Sequence, residues 1–170
     1  MTLDAGLCVI RPWRHGDLDA LVRHADNRHV WLTLRDQFPH PYTRADGEEW
    51  LAHVAQQHPV TSFAIVVAGE AGGGIGLAPQ PDVHRRSAEV GYWLGETLWN
   101  RGIMTAAVRT FTEYAFDAHD LIRIFAGVFS TNPASMRVLE KVGYKREGIL
   151  QKSVVKDGQV LDQVLYAVTR

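Results

Sequence analysis

The chain has 170 residues, of which 18 are basic and 19 acidic, giving a formal net charge of −1. This balance argues against broad binding to nucleic acid or to an anionic membrane surface. A single cysteine, Cys8, excludes an intrachain disulfide and a cysteine-based metal site. The length suits a single domain covering residues 1–170. No signal peptide is recognisable and no apolar run approaches about 20 residues, so we expect a cytoplasmic protein.

The first third of the chain predicts a short strand followed by two helical segments. Residues 7–10 are apolar and are closed by Arg-Pro, which is typical of a strand end. Asp17 begins a helical pattern with acidic residues in its first turn, where they complement the helix dipole. Thr43 has the properties of an N-cap for a second helix.

A hairpin is expected next. Residues 62–68 form an apolar run rich in β-branched side chains, which predicts a strand. The glycine-rich residues 69–74 predict a turn, and residues 75–78 the return strand. A phosphate-binding loop is the alternative for these glycines, but no Gly-Lys-Ser/Thr follows them.

The second half alternates strands and helices. Residues 87–94 and 122–129 predict strands, and residues 102–118 predict a long amphipathic helix between them. A helix opening at residues 131–135 and ending at Gly143 follows, and Asp157-Gly158 then joins two strands as a hairpin turn. The order β-α-α-β-β-β-α-β-α-β-β indicates a mixed α/β fold with too few βαβ units for a doubly wound sheet.

The most informative segment is residues 98–105, where a strand leads into the long helix. A helix start leaves backbone N–H groups unpaired, and the helix dipole adds positive charge there. Gly102 lets an anion approach these groups without a Cβ in the way, and Arg101 adds a formal charge. The segment therefore predicts a site for a pyrophosphate.

The segment Asn132-Pro133-Ala134-Ser135 has a structural explanation to be weighed first. Asn is a favoured N-cap and Pro is favoured at the first helical position, while Gly143 suits the left-handed residue that ends a helix. Capping accounts for Asn132 and Pro133 but leaves Ser135 unexplained.

Three motifs in order resemble the GNAT superfamily of acetyl-CoA-dependent N-acetyltransferases. They are Trp-Asn-Arg-Gly-Ile-Met-Thr, Leu-Ile-Arg-Ile-Phe-Ala and Asn-Pro-Ala-Ser-Met-Arg-Val-Leu-Glu-Lys-Val-Gly-Tyr. The resemblance is greatest to the RimJ/RimL-like branch, which acetylates the N-termini of ribosomal proteins. It implies a GNAT-type acyl-CoA N-acyltransferase fold, mixed α/β. That fold has a central, mostly antiparallel twisted sheet that is splayed at the cofactor site and flanked by helices.

The resemblance also implies how acetyl-CoA, the cosubstrate, is held. The loop at residues 100–105 holds the pyrophosphate through backbone N–H groups, and the backbone at residues 93–94 pairs with pantetheine. A bulge there is expected to splay the sheet. Asn132 and Ser135 face the thiol end. The cofactor-binding residues so implied are Trp93, Leu94, Asn100, Arg101, Gly102, Ile103, Met104, Thr105, Asn132 and Ser135.

Two residues are candidates for the chemistry, which is direct attack of an amine on the thioester without a metal. Leu139 stands where many superfamily members carry a general-acid tyrosine, so Ser135 becomes the candidate acid. Glu89 shares a strand face with Gly91 and Trp93, and is the candidate base, acting through water. The alternatives are structural. Glu89 would pair with a neighbouring arginine (Arg85 or Arg86), and the Ser135 hydroxyl would bond to the Asn132 backbone.

The acceptor expected from the resemblance is a protein N-terminal α-amine of the ribosomal-protein type. One alternative is a small amine, such as a polyamine or an aminoglycoside-like antibiotic. Another is a non-catalytic CoA-binding sensor or ribosome-associated module. Neither nucleic acid nor a membrane is expected as a direct partner. Because relatives of this type often dimerise, a homodimer stays open.

Overall fold

The computed structural model describes residues 1–170 and contains one eight-stranded sheet with five α-helices. The strands are β1 (Leu3–Asp4), β2 (Val9–Pro12), β3 (Ser62–Val67), β4 (Glu70–Pro79), β5 (Ser87–Leu94), β6 (Arg123–Phe129), β7 (Lys145–Lys156) and β8 (Gln159–Thr169). The helices are α1 (Leu18–Ala25), α2 (Arg28–Trp31), α3 (Arg44–Ala55), α4 (Ile103–Ala118) and α5 (Pro133–Val142). The strand order is β1-β2-β3-β4-β5-β6-β8-β7, and only β5 and β6 are parallel neighbours. The predicted mixed α/β, mostly antiparallel architecture is confirmed.

The parallel neighbours β5 and β6 separate soon after they begin. Their pairing runs only from Ser87 opposite Arg123 to Glu89 opposite Phe125. Since β5 continues to Leu94 and β6 to Phe129, a cleft opens between them, and the expected splay is confirmed. The expected bulge in β5 is wrong, because its register with β4 runs without a shift up to Leu94. Loss of parallel pairing, rather than an extra residue, opens the sheet.

The two faces of β5 meet different layers of the protein. Ala88, Val90 and Leu94 belong to the main apolar core, which also contains buried side chains of α4 and α5. Successive strand residues point to opposite faces, so Glu89, Gly91 and Trp93 lie on the other face. On that face Trp93 packs against the smaller cluster formed by α1 and α3.

The glycine run after β3 is not a turn, as the sequence predicted, but part of β4. The turn consists of Ala68 and Gly69, whose φ angles are +50° and +86°. A Cβ on Gly73 would overlap the carbonyl oxygen of Trp93, and a Cβ on Gly74 would lie 2.8 Å from the Trp93 Nε1. These glycines therefore allow close packing of Trp93, a requirement invisible to local sequence.

Several predicted boundaries are confirmed. The Asn132 side chain caps α5 by accepting a hydrogen bond from the Ser135 N–H at 3.3 Å, and Gly143 ends the helix with a φ of +102°. Asp157 and Gly158 form the β7–β8 turn with φ angles of +51° and +73°. The sequence reading missed β1 and α2, which have two and four residues and are too short to show periodicity.

Candidate active site

The segment that leads into α4 presents a row of unpaired backbone N–H groups. Asn100 and Gly102 have left-handed φ angles of +58° and +76°, and α4 has no side-chain cap. The N–H groups of residues 100–105 find no partner within the protein. Arg101 is exposed and takes part in none of the ion pairs. A left-handed backbone at two positions, a helix start and an unpaired cation are the features of an anion-binding concavity, and the pyrophosphate site at this loop stays a prediction.

This loop is held in place by its neighbours. The indole N–H of Trp99 donates to the Leu94 carbonyl at 2.7 Å, and Ile103 is buried in the main core. The Trp93 carbonyl faces Gly73 on β4. Because antiparallel pairing alternates, Trp93 directs its backbone groups toward Gly74 of β4 and Leu94 directs its own away from β4, so pantetheine pairing at residues 93–94 would use the Leu94 N–H. That pairing stays a prediction.

The Ser135 hydroxyl lies 2.8 Å from the hydroxyl of Tyr92, which joins the first turn of α5 to β5. The bond expected in the structural alternative, from the Ser135 hydroxyl to the Asn132 backbone, is thus replaced by a bond to Tyr92. The catalytic role of Ser135 stays a prediction. Burial raises the pKa of Tyr92 above its ordinary value, and the hydrogen bond with Ser135 opposes this only in part. Tyr92 consequently stays protonated and can donate.

Sequence reasoning missed Tyr92, although a signal was present. Strand alternation places Tyr92 in the same row as Val90 and Leu94, so a hydroxyl enters an otherwise apolar face. Leu139, at the position of the superfamily's tyrosine, is fully buried in the core with 0% exposure. A leucine has no proton to donate, so Ser135, the one hydroxyl side chain of α5, is the hydroxyl that this helix offers at this end of the cleft.

Glu89 lies on the opposite face of β5 with its side chain 19% exposed. Its Oε1 is 2.6 Å from Nη2 of Arg35, which lies after α2. Glu89 thus forms an ion pair with an arginine, as the structural alternative predicts, but the arginine is Arg35 rather than Arg85 or Arg86. Arg86 instead pairs with Asp120 at 2.8 Å, and Arg85 donates to a backbone carbonyl. Arg35 and Glu89 are 54 positions apart in the chain, so no local sequence pattern indicates their contact.

A cavity of about 290 Å³ lies on this side of the sheet, between the segment after α2 and the β7–β8 hairpin. The buried Lys156 amine, at the end of β7, connects the hairpin to the α2 side of the cavity. It lies 2.8 Å from Asp36 and 3.7 Å from the centre of the Trp31 ring. Arg35 and Gln163 also line it. A larger hollow of about 400 Å³ lies beside the β1–β2 loop and contains none of the predicted site residues.

The histidines near α1 and α2 form structural pairs. His24 lies 2.8 Å from Glu70 at the start of β4, and His29 lies 2.9 Å from Glu96 in the segment between β5 and α4. No three His, Cys, Asp or Glu side chains lie together as a metal site would require. No helix combines the length and hydropathy needed to cross a membrane.

Comparison with known proteins gives one family. Residues 8–145 match the acetyltransferase (GNAT) domain. YjcK of Bacillus subtilis, named a probable N-acetyltransferase, is 45% identical over 83 residues, which cover 49% of this chain and 46% of the relative. The [ribosomal protein uS5]-alanine N-acetyltransferase of Escherichia coli is 31% identical over 98 residues, 56% of this chain and 50% of the relative. The matched segments thus span about half the length of these curated relatives.

Solved structures agree over almost the whole chain. RimJ of Mycobacterium smegmatis, in complex with CoA-disulfide, has a TM-score of 0.85 and 29% identity, covering 97% of this chain and 83% of that one. The ribosomal-protein-S5-alanine acetyltransferase of Vibrio fischeri has a TM-score of 0.85 at 20% identity, covering 99% and 96%, which shows a shared fold. With its sheet opened between β5 and β6 and unpaired amides at the start of α4, the chain belongs to the GNAT acetyltransferase family.

Proposed function

We propose that this protein, as a single domain over residues 1–170, is an acetyl-CoA-dependent N-acetyltransferase of the cytoplasm. It transfers the acetyl group to a primary amine, with a protein N-terminal α-amine as the acceptor. The observation that carries the proposal is the row of unpaired N–H groups at residues 100–105 beside the splayed strands. The RimJ relative bound to CoA-disulfide and the uS5-alanine acetyltransferase support the cosubstrate and the acceptor class.

Different parts of the site would bind the pyrophosphate and the pantetheine arm of acetyl-CoA. Backbone N–H groups of the loop, helped by Arg101, would hold the pyrophosphate, and Gly102 has no Cβ to stand between them and the anion. The cleft beyond Glu89 and Phe125 would receive the pantetheine arm. Bound there, acetyl-CoA supplies a thioester that is activated for attack by an amine.

An α-amine needs little help from side chains to lose its proton. Its reference pKa of about 7.7–8.0 means that deprotonation at pH 7 costs only about 1–1.4 kcal/mol. A lysine amine near 10.4 would cost about 4.6 kcal/mol. Glu89 would accept the proton through a water, and Ser135, aligned by Tyr92, would assist departure of the thiolate. Positioning and carbonyl polarisation supply most of the remaining acceleration.

The charges on the acceptor side favour a singly charged amine over a polyamine. Glu89 is paired with Arg35, and Asp36 is paired with Lys156. Both of these carboxylates are thus already paired with a cation of the protein. A polyamine would need a surplus of carboxylates, whereas one ammonium group has only to displace Arg35 from Glu89.

A thiol-release assay with acetyl-CoA tests the proposal. Peptides with free N-terminal Ala or Ser should release CoA thiol and gain one acetyl group by mass spectrometry, whereas N-acetylated copies should not. Release with spermidine or an aminoglycoside alone would favour the small-amine alternative. CoA binding without release for any acceptor would favour a sensor. Size-exclusion chromatography with light scattering tests whether the protein is a monomer or a homodimer.

A further inference from the structure

Gly91 is a glycine that the fold itself does not require. It lies inside β5 between Glu89 and Trp93 on the same face, it is exposed, and its φ is outside the left-handed region. A Cβ built on it would meet nothing within 4 Å. By contrast, Gly76 on the neighbouring strand needs its small size, because a Cβ there would lie 2.7 Å from the Thr61 carbonyl oxygen.

Glycine in the middle of a strand weakens the strand and commonly marks close approach of a ligand or another backbone. A Cβ built on Gly91 would meet no atom of the protein within 4 Å, and the pairing of β5 with β4 shows no bulge there, which leaves close approach of a ligand as the explanation. The position is also special in the cleft. The last paired residues of β5 and β6 are Glu89 and Phe125, so Gly91 and Gly127 are the next residues on that face of each strand. On this face, the first residue beyond the paired region is therefore a glycine in both strands.

The two glycines differ in what covers them. The side-chain amide of Gln163, from β8, lies directly over Gly127, whereas nothing covers Gly91. That amide makes no hydrogen bond within the protein and is not among its fully buried unpaired groups. A neutral amide with free donors and an acceptor is suited to bind a peptide group. It also lines the cavity that Arg35 shares.

We propose that Gly91 is the floor of the acceptor subsite, and that the first residue of a polypeptide acceptor lies across it. The acceptor's amine points toward Glu89, and its first peptide group points toward the amide of Gln163. Attraction between the acceptor's N-terminal ammonium group and the Glu89 carboxylate orients the acceptor along the strand. The inference rests on the proposed function and deepens it, because it assigns acceptor recognition to two residues that take no part in the proton transfers.

A size series at this position tests the proposal. Gly91→Ala and Gly91→Val should fold normally, because their side chains enter open space. A side chain that intrudes on an occupied site should weaken binding by about tenfold or more for Val and less for Ala. The probe is an Ala-initiated hexapeptide added to protein saturated with CoA, measured by calorimetry, together with the KM for that peptide. The Kd for CoA should stay unchanged.

Gly148→Val on β7 is the matched control, because its Cβ also meets nothing within 4 Å and its φ is outside the left-handed region. Gln163→Met keeps the length of the side chain but removes the amide. It should raise the KM for the hexapeptide while leaving the KM for a simple monoamine, such as tyramine, unchanged.

The outcomes separate this inference from the proposed function. If wild-type protein acetylates the peptide and Gly91→Val binds it as tightly as wild type does, the inference is overturned and the function stands. Equal loss of CoA affinity would move Gly91 to the cosubstrate channel and overturn it as well. Weakened binding of spermidine with unchanged peptide binding would reject a polypeptide occupant. Peptide binding that Gly91→Val weakens, even without thiol release, would support the inference while the catalytic function failed.

Discussion

The hydroxyl groups of Tyr92 and Ser135 lie 2.8 Å apart and connect β5 to the first turn of α5. The two elements flank the cleft that opens where β5 and β6 separate. A tyrosine on β5 and a serine on α5 thus meet at the core side of this cleft, while Leu139 is buried where the superfamily's tyrosine would be. This contact supports our proposal that Ser135, aligned by Tyr92, donates the proton to the leaving thiolate.

Ser135→Ala should lower kcat by at least about tenfold, a modest general-acid effect, while the Kd for CoA changes little. Tyr92→Phe should lower kcat by a smaller factor, because Ser135 keeps its hydroxyl but loses its partner. The double variant should be no slower than Ser135→Ala, since both changes remove one function. Steady-state kinetics with an Ala-initiated peptide measures this.

Tyr144→Phe provides the control for these variants. Its hydroxyl also makes a 2.8 Å hydrogen bond with a side-chain hydroxyl, that of Thr112, in a buried position. Losing that bond should lower the free energy of unfolding by about 1 kcal/mol and leave kcat unchanged. If Tyr144→Phe slowed the reaction as much as Tyr92→Phe did, a general loss of rigidity would explain both results.

Glu89→Gln should lower kcat by about ten- to hundredfold with little change in CoA affinity, because the amide cannot accept the amine's proton. The loss should shrink as pH rises above the pKa of the α-amine, near 8, since the acceptor then arrives deprotonated. The pH dependence of kcat/KM measures both effects. Glu113→Gln, an exposed glutamate of α4, is the control and should be neutral. Unchanged turnover in Glu89→Gln would remove this carboxylate from the mechanism.

The parts of this protein that could be predicted from sequence are those encoded locally. The ends of α5 depend on Asn132 and Gly143, and the last turn depends on Asp157 and Gly158, whose preferences act within a few residues. The start of α4 was predicted for the same reason, and its unpaired N–H groups are a property of any uncapped helix start.

The parts that could not be predicted depend on residues distant in the chain. The glycines of β4 resemble a turn in sequence, because the ring and backbone of Trp93 that require their small size belong to another strand. Sequence proximity predicts Arg85 or Arg86 as the partner of Glu89, yet the partner is Arg35, from the segment after α2. Tyr92 and Ser135 are 43 residues apart. Each of these contacts follows from the packing of the sheet rather than from local preference.

Arg101→Ala should weaken CoA binding several-fold, because a free cation is lost beside the predicted pyrophosphate site. The difference between variant and wild type should shrink from 50 to 300 mM salt, where exposed charges are screened over less than about 10 Å. Calorimetry with CoA at both salt concentrations measures this. Arg85→Ala, an exposed arginine outside the site, is the control. A salt-independent loss, or an equal loss in the control, would argue against direct contact with the phosphates.

Alkaline pH should destabilise the protein through its buried tyrosines. Burial raises the pKa of Tyr42 to about 12, and it likewise raises the pKa of Tyr144 to about 12. Below pH 10 each phenol is protonated in both the folded and unfolded states, so it adds no pH dependence. Between pH 10 and 12 the unfolded state releases protons that the folded state keeps, so stability falls as pH rises.

Tyr42→Phe removes one of these titrations, so its advantage over wild type should grow by about 1.4 kcal/mol between pH 8 and pH 11. Its hydroxyl makes no hydrogen bond within the protein and is not a fully buried unpaired group, so the variant should match wild type closely at pH 8. Urea unfolding at pH 8, 10 and 11 measures the difference. Tyr144→Phe should gain similarly at high pH from a lower starting stability, because it loses the bond to Thr112. Parallel pH curves for Tyr42→Phe and wild type would show that this phenol ionises equally in both states.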